Sequence, residues 1–135
     1  MSVRDLYNNL KAVIALKGAT LKVATEGEII DLAGFNGALI CVASGTITDG
    51  TGYEFELKEG NQADLSDAAA VSDEDILGSE PTFAATDDDK VKQFGYIGNK
   101  RYIRLDLKTV SGSPTTGGIF VGLIVKGYPR HAPVS

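Results

Sequence analysis

The sequence has no tryptophan, one cysteine, one histidine and one methionine. The single cysteine, Cys41, excludes an internal disulfide. One cysteine with one histidine, His131, argues against a Cys/His zinc site held by one chain. Without tryptophan, and with five tyrosines, a sugar-stacking platform has little to build on. No apolar run approaches the roughly 20 residues of a membrane-spanning helix. The longest run, 119–125, is strand-sized and contains Gly122. The opening residues, MSVRDLYNNLK, are too polar for a secretory signal, so none is expected.

What remains is a chain of 135 residues, 43% hydrophobic and 23% charged. That is the size and composition of one globular domain. The net charge is −5, which disfavours general nucleic-acid binding, because that binding rests on phosphate neutralisation by Lys and Arg. The charge is unevenly placed. Residues 1–89 carry 5 basic and 17 acidic residues, and residues 90–135 carry 8 basic and 1 acidic. Solvated loops and cross-strand pairs explain this split most simply. A repeating assembly, with an acidic loop of one subunit on a basic strand of its neighbour, is the sharper reading.

Val3, Leu6, Tyr7, Leu10, Val13 and Ile14 recur at helical spacing, with Ser2 as N-cap, and predict a short helix at about 3–10. Residues after it look extended. Segment 1–28 either completes the core or forms an arm on a neighbouring subunit, and it is assigned here as an arm with a short helix. From residue 29 the pattern is β. Ile29–Leu32 is short, and the apolar run Ala38–Ala43 suits a strand buried on both faces. Asp49-Gly50 signals a hairpin turn. Tyr53–Lys58 alternates as a half-buried strand does.

Residues 60–90 hold nine of the 18 acids and predict a surface excursion. A capping box at Ser72–Asp75 gives it one helical turn at 73–77, and Pro81 introduces an edge strand at 82–86. Phe94–Ile97 and Arg101–Lys108 are strands again. In the latter, Ile103, Leu105 and Leu107 point one way, and Tyr102, Arg104, Asp106 and Lys108 the other. Ile119–Lys126 is a second strongly apolar strand, and Gly122 marks a bend or the close approach of another backbone. Pro129 and Pro133 exclude an interior strand from the tail, 128–135. Seven or eight short strands with Gly-rich turns predict an all-β, single-domain β-sandwich of jelly-roll type over 29–127.

Catalytic chemistry is sparse. Asp87-Asp88-Asp89 lacks the ligand spacing of a helix–loop–helix calcium loop, which needs Gly sixth and Glu twelfth where this chain has Lys92 and Gly98. It reads as a solvated acidic loop. Asp73-Glu74-Asp75 reads as the acidic first turn of a helix. His131 is the one base available to a nucleophile pair, and it lies in the Pro-flanked tail. No nucleophile elbow or phosphate-binding glycine motif occurs. Cys41 reads as a buried small hydrophobe. No cofactor or metal is expected. Arg101, Arg104 and Lys108 around Tyr102 read as a strand face that pairs across strands or contacts protein, more than as a nucleic-acid surface.

Three stretches are familiar together: Ile30–Phe35 leading into Ala38–Ala43 and Gly45-Thr46, then Gly95–Arg104, then Val125–Val134. With Arg4-Asp5-Leu6 near the start, this set resembles small virion proteins of tailed bacteriophages, encoded beside the major capsid protein. Some of these are head decoration, or cement, proteins with a sandwich fold. The resemblance covers most of the chain except 60–90. It implies a non-enzymatic structural protein, made in the host bacterial cytoplasm, that binds the outside of the assembled capsid and braces it. It implies the major capsid protein lattice as partner, a homo-oligomer (dimer or trimer), and no membrane. The candidate interface residues are Leu6, Tyr7, Leu10, Arg101, Tyr102, Arg104, Tyr128, Arg130 and His131. Rival readings are a connector or tail component, a small all-β nucleotide hydrolase, and a carbohydrate-binding module.

Overall fold

The computed structural model describes residues 5–129. Among these residues ten strands form two antiparallel sheets packed as a sandwich. The first sheet holds β1 (Lys11–Leu21), β10 (Gly118–Pro129), β3 (Phe35–Ile47), β8 (Val91–Tyr96) and β6 (Ile76–Leu77), in that order. The second holds β2 (Ile29–Asp31), β9 (Tyr102–Ser111), β4 (Gly52–Gly60) and β5 (Ala69–Ala70), with β7 (Thr82–Ala84) also on β4. We call these the first and second sheets.

The core is the row of alternating inward residues from both. Ile40, Val42, Phe120 and Ile124 of the first sheet meet Tyr53, Phe55, Leu57, Ile103, Leu105 and Leu107 of the second. Tyr53, Phe55, Phe83 and Phe120 form an aromatic cluster with ring centroids 4.9 to 5.7 Å apart, tilted or edge-on as ring quadrupoles prefer. Gly122 leaves room for a side chain of the facing sheet. A Cβ there would fall 2.5 Å from Leu105 Cδ2 and 3.0 Å from Leu16 Cβ, so leucine side chains crowd the position where a bend or another backbone was expected.

Several expectations change. Residues 11–21 are not an arm. They form an edge strand of the first sheet, paired with β10, and Ala15 and Leu16 are core. The helix expected at 3–10 is absent over the described residues 5–10, and 7–9 form a turn. Asp5 explains this: its carboxylate accepts the backbone and side-chain N–H groups of Asn8, and its carbonyl accepts from Asn9. Such local bonds compete with the helix ladder. Asp49-Gly50 makes a turn, with Gly50 at φ +88°, but it leads from β3 in one sheet to β4 in the other, not around a hairpin.

The 60–90 excursion is also partly core. Val71, Ile76 and Phe83 join the core cluster, and Leu65 is buried. Leu65, Val71 and Phe83 stand singly among small and polar residues and Ile76 has only Leu77 beside it, so no period announces them. The turn at 73–75 is 3-10 helix capped by Ser72, and β6 follows at once. β10 runs through Pro129, which lies opposite Phe35. Pairing with β1 ends at Lys11 opposite Lys126, so beyond Lys126 β10 has one neighbour and the missing proline donor faces no strand.

One edge of the sandwich is stitched shut by residues 25–28. Thr25 and Leu107 exchange backbone hydrogen bonds of 2.9 and 2.8 Å, which ties the segment to β9. The Glu28 N–H donates to the Ala15 carbonyl of β1 at 2.7 Å. Between them, a side chain at Gly27 would run into the Leu105 and Ala15 carbonyl oxygens.

Candidate functional site

The apolar runs of β3 and β10 bury one face inside the sandwich and leave the other outside. The expectation that Ala38–Ala43 is covered on both faces therefore fails within one copy. Ile40, Val42 and Ser44 are buried, whereas Leu39, Cys41 and Ala43 are partly or fully open. Register places these residues in rows with their neighbours. Ala12, Val125, Leu39, Gly95 and Leu77 form one row. Ile14, Leu123, Cys41 and Gln93 form the next. Val121, Ala43 and Val91 form a third, and Thr20 and Ile119 a fourth beside Gly45.

No position in these rows is charged. Leu39 is 37% exposed, Leu123 36%, Ile119 44%, Ile14 48%, Leu77 58% and Val91 67%. The face is flush as well as apolar. A Cβ on Gly45 would meet Ile119 at 3.2 Å, and one on Gly95 would meet Leu77 at 3.3 Å. The two large side chains thus lie across bare glycine backbone. Four strand spacings of about 4.8 Å and six residues of about 3.4 Å give about 400 Å² in projection. Apolar patches of that size are at the upper end of what a monomer exposes and are often functional. Cys41 sits on the middle strand of this face, and partial burial pushes its thiol above the usual value.

The outer face of the second sheet is the opposite in character. It carries Glu54, Glu56, Lys58, Arg104 and Lys108. Arg104 donates to Asp106 through Nε at 2.8 Å and Nη2 at 3.0 Å, and meets Glu26 at 3.2 Å. The same Asp106 accepts the Gly27 N–H at 3.1 Å. The side chains of Arg104 and Asp106 are only 13% and 9% exposed. Both were expected on the outward face, with Arg104 pairing across strands or contacting protein and a candidate interface residue. Segment 25–28 lies beside them, and Arg104 takes part in this internal network.

The remaining candidate residues gather at one end of the sandwich. Arg101 holds Asp31 by two hydrogen bonds of 3.0 Å, both partners half exposed, and lies 5.1 Å from the Tyr102 ring centroid. This pair keeps the Asp31 carboxyl below its ordinary range. Lys126 reaches the Asp31 carbonyl and lies over the Phe35 ring. Leu10 packs near Gly127, and the Tyr128 ring lies beside Gly37. Leu6 and Tyr7 are exposed. An open cleft of about 540 Å³, lined by residues 32–37, Tyr96 and residues 98–101, occupies this end. Arg130 and His131 lie outside the described residues. Among the described residues no group of three or more His, Cys, Asp or Glu is placed to hold a metal ion, and no helix is long and apolar enough to cross a membrane.

Sequence reasoning missed the apolar face. The signal was present in the two apolar runs, which read as doubly buried. It could not tell burial by the chain from burial by a partner.

No protein-family model matches the chain, and no curated protein matches it. The SPBc2 prophage-derived protein YomS is similar in structure, with a TM-score of 0.53 and 12% identity over 88% of this chain and 94% of that one. The two share a fold. A chain in the capsid of Ralstonia phage GP4 matches with a TM-score of 0.48 and 17% identity over 93% of this chain and 87% of that one.

Proposed function

We propose that the chain is a structural virion protein of a tailed phage that binds the outside of the assembled capsid and stabilises it. The observation that carries an assembly role is the uncharged apolar face, since contiguous apolar patches of that extent are often functional contact surfaces. The resemblance of 30–46, 95–104 and 125–134 to head decoration proteins narrows assembly to the virion. The prophage origin of a protein with this fold accords with that reading. We also read the long strands as a jelly roll, because β1, β3, β8 and β10 alternate along the chain with β2, β4 and β9 of the facing sheet.

The capsid contact is assigned to the end that bears Leu6, Tyr7, Leu10, Arg101, Tyr102 and Tyr128, residue types that suit protein contacts. A protein that binds only the assembled shell stabilises it in proportion to occupancy and affinity. The test is co-sedimentation of the purified chain with empty shells and with unassembled subunits of the phage whose genome carries it. Binding to shells alone, with a raised shell melting temperature, is the expected result. Binding to tails or connectors alone, or to nothing, would refute it.

A further inference from the structure

We infer that the apolar face of the first sheet packs against the same face of a second copy, forming a two-fold, sheet-on-sheet dimer. Among the described residues, six of the twelve exposed large hydrophobic residues lie on this one face, so the apolar surface is concentrated and not scattered. A partner must match it in two respects, being without charge and nearly flat. The chain's other broad face fails on charge, since Glu54, Glu56, Lys58 and Lys108 lie on it. Seating any of these against Leu39 or Leu123 would desolvate an ion without a counter-charge. The face itself meets both requirements. An isologous contact needs only that a surface complement itself.

The geometry follows from sheet packing. Two such faces lie about 10 Å apart with strands within about 30° of each other. The two-fold axis then runs in the plane between them, through the middle of the patch. β3 is the third of five strands, and the four rows centre near Val42, one residue from Cys41. Cys41 of the two copies therefore face each other with a lateral offset of about 7 Å or less. The patch area counted on both copies is about 800 Å² in projection, below the ~1,200–2,000 Å² of a standard stable interface. Rim residues must complete the contact, and association should be reversible with a dissociation constant in the micromolar range.

The inference does not depend on the capsid reading, and its test is separate. Sedimentation velocity from about 1 µM to 1 mM should show a monomer–dimer equilibrium. Leu123→Lys places an ammonium in the middle of the patch twice per dimer and should weaken association at least about 100-fold. Val91→Lys, at an edge position that supports no core, serves if the first variant misfolds by circular dichroism. Arg101→Ala should leave the dimer unchanged. Maleimide labelling of Cys41 should slow as concentration rises in the parent chain and stay fast in Leu123→Lys. A chain monomeric at 1 mM, or a dimer that both lysine variants preserve, overturns the inference. So does a Cys41 that is freely labelled at all concentrations and protected only on capsids, an outcome that keeps the capsid reading. A dimer that ignores capsids refutes that reading and keeps this one.

Discussion

Asp106 should be among the most costly polar side chains to remove. Its carboxylate accepts two hydrogen bonds from Arg104 and one from Gly27, and both ionic partners are nearly buried. Asp106→Ala leaves a covered guanidinium with only Glu26, which is 75% exposed, and an unpaired Gly27 N–H. Breaking a buried ion pair from one side costs about 3–5 kcal/mol. An unfolding entropy of about 2.1 cal/mol/K per residue gives about 0.28 kcal/mol/K for a chain of this length, so Tm should fall by about 10–18 °C. Arg101→Ala is the control. Its pair with Asp31 is half exposed on both sides and should be worth about 0–1 kcal/mol, a shift of ~4 °C at most. Thermal unfolding followed by circular dichroism measures both. A Tm loss below about 4 °C for Asp106→Ala, or equal losses for the two variants, would show that segment 25–28 does not shield the network. The double replacement Arg104→Met with Asp106→Leu should recover much of the loss, because an apolar pair of similar volume removes the orphaned charge.

Three other positions give further outcomes. Glu80 stands in for a strand between β7 and β5, its carboxylate accepting the Leu57 N–H; Glu80→Ala should cost about 1–3 kcal/mol by leaving that donor unpaired. Burial raises the Glu80 carboxyl above its ordinary 4.5, so its stabilising form is the protonated one, fully present below that value and lost as pH rises through the raised one. Glu80→Gln keeps an acceptor without the charge, so its melting temperature should match or exceed the parent's at pH 7, with the gap closing toward pH 4.5. Asp49 takes hydrogen bonds from Thr115, Thr116 and Gly117, chiefly the Gly117 N–H, and its carboxyl falls to about 2 from an ordinary 3.8. Its contribution is present above 3.8 and is lost as pH falls toward 2, so acid titration of stability should be steeper in the parent than in Asp49→Asn. Gly122→Ala should destabilise by about 1–3 kcal/mol through overpacking against Leu105 and Leu16, as a chemical denaturation midpoint would show.

The sandwich was legible where one period dominated. Tyr53, Phe55 and Leu57 alternate, as do Ile103, Leu105 and Leu107, and all six are core. Three things were hidden for separate reasons. Phe83 and Val71 are single apolar residues in an acidic stretch, and only tertiary pairing of β7 and β5 with β4 turns them inward. Asp106 has the outward phase of its strand, yet Gly27, 79 positions away, decides its surroundings. Leu39 and Leu123 look as buried as Ile40 and Ile124 because hydrophobicity reports that a side chain needs cover, not who supplies it. Of the candidate site, Leu10, Arg101, Tyr102 and Tyr128 do share one end of the molecule, a consequence of register that no local pattern contains.

The pairing of Lys11 with Lys126 has a mechanical meaning. The first and last strands are antiparallel neighbours, and the start of β1 and the end of β10 lie side by side at one end of the sandwich. Tension between those two points would open the pair like a zipper, one hydrogen-bonded rung at a time, instead of loading all rungs in parallel. Anchored at both points on one support, the domain carries no load across its strands and stands off as a rigid post. Pulled apart by two different supports, it would yield first at β1, and the edge stitched by residues 25–28 would be the next thing to tear.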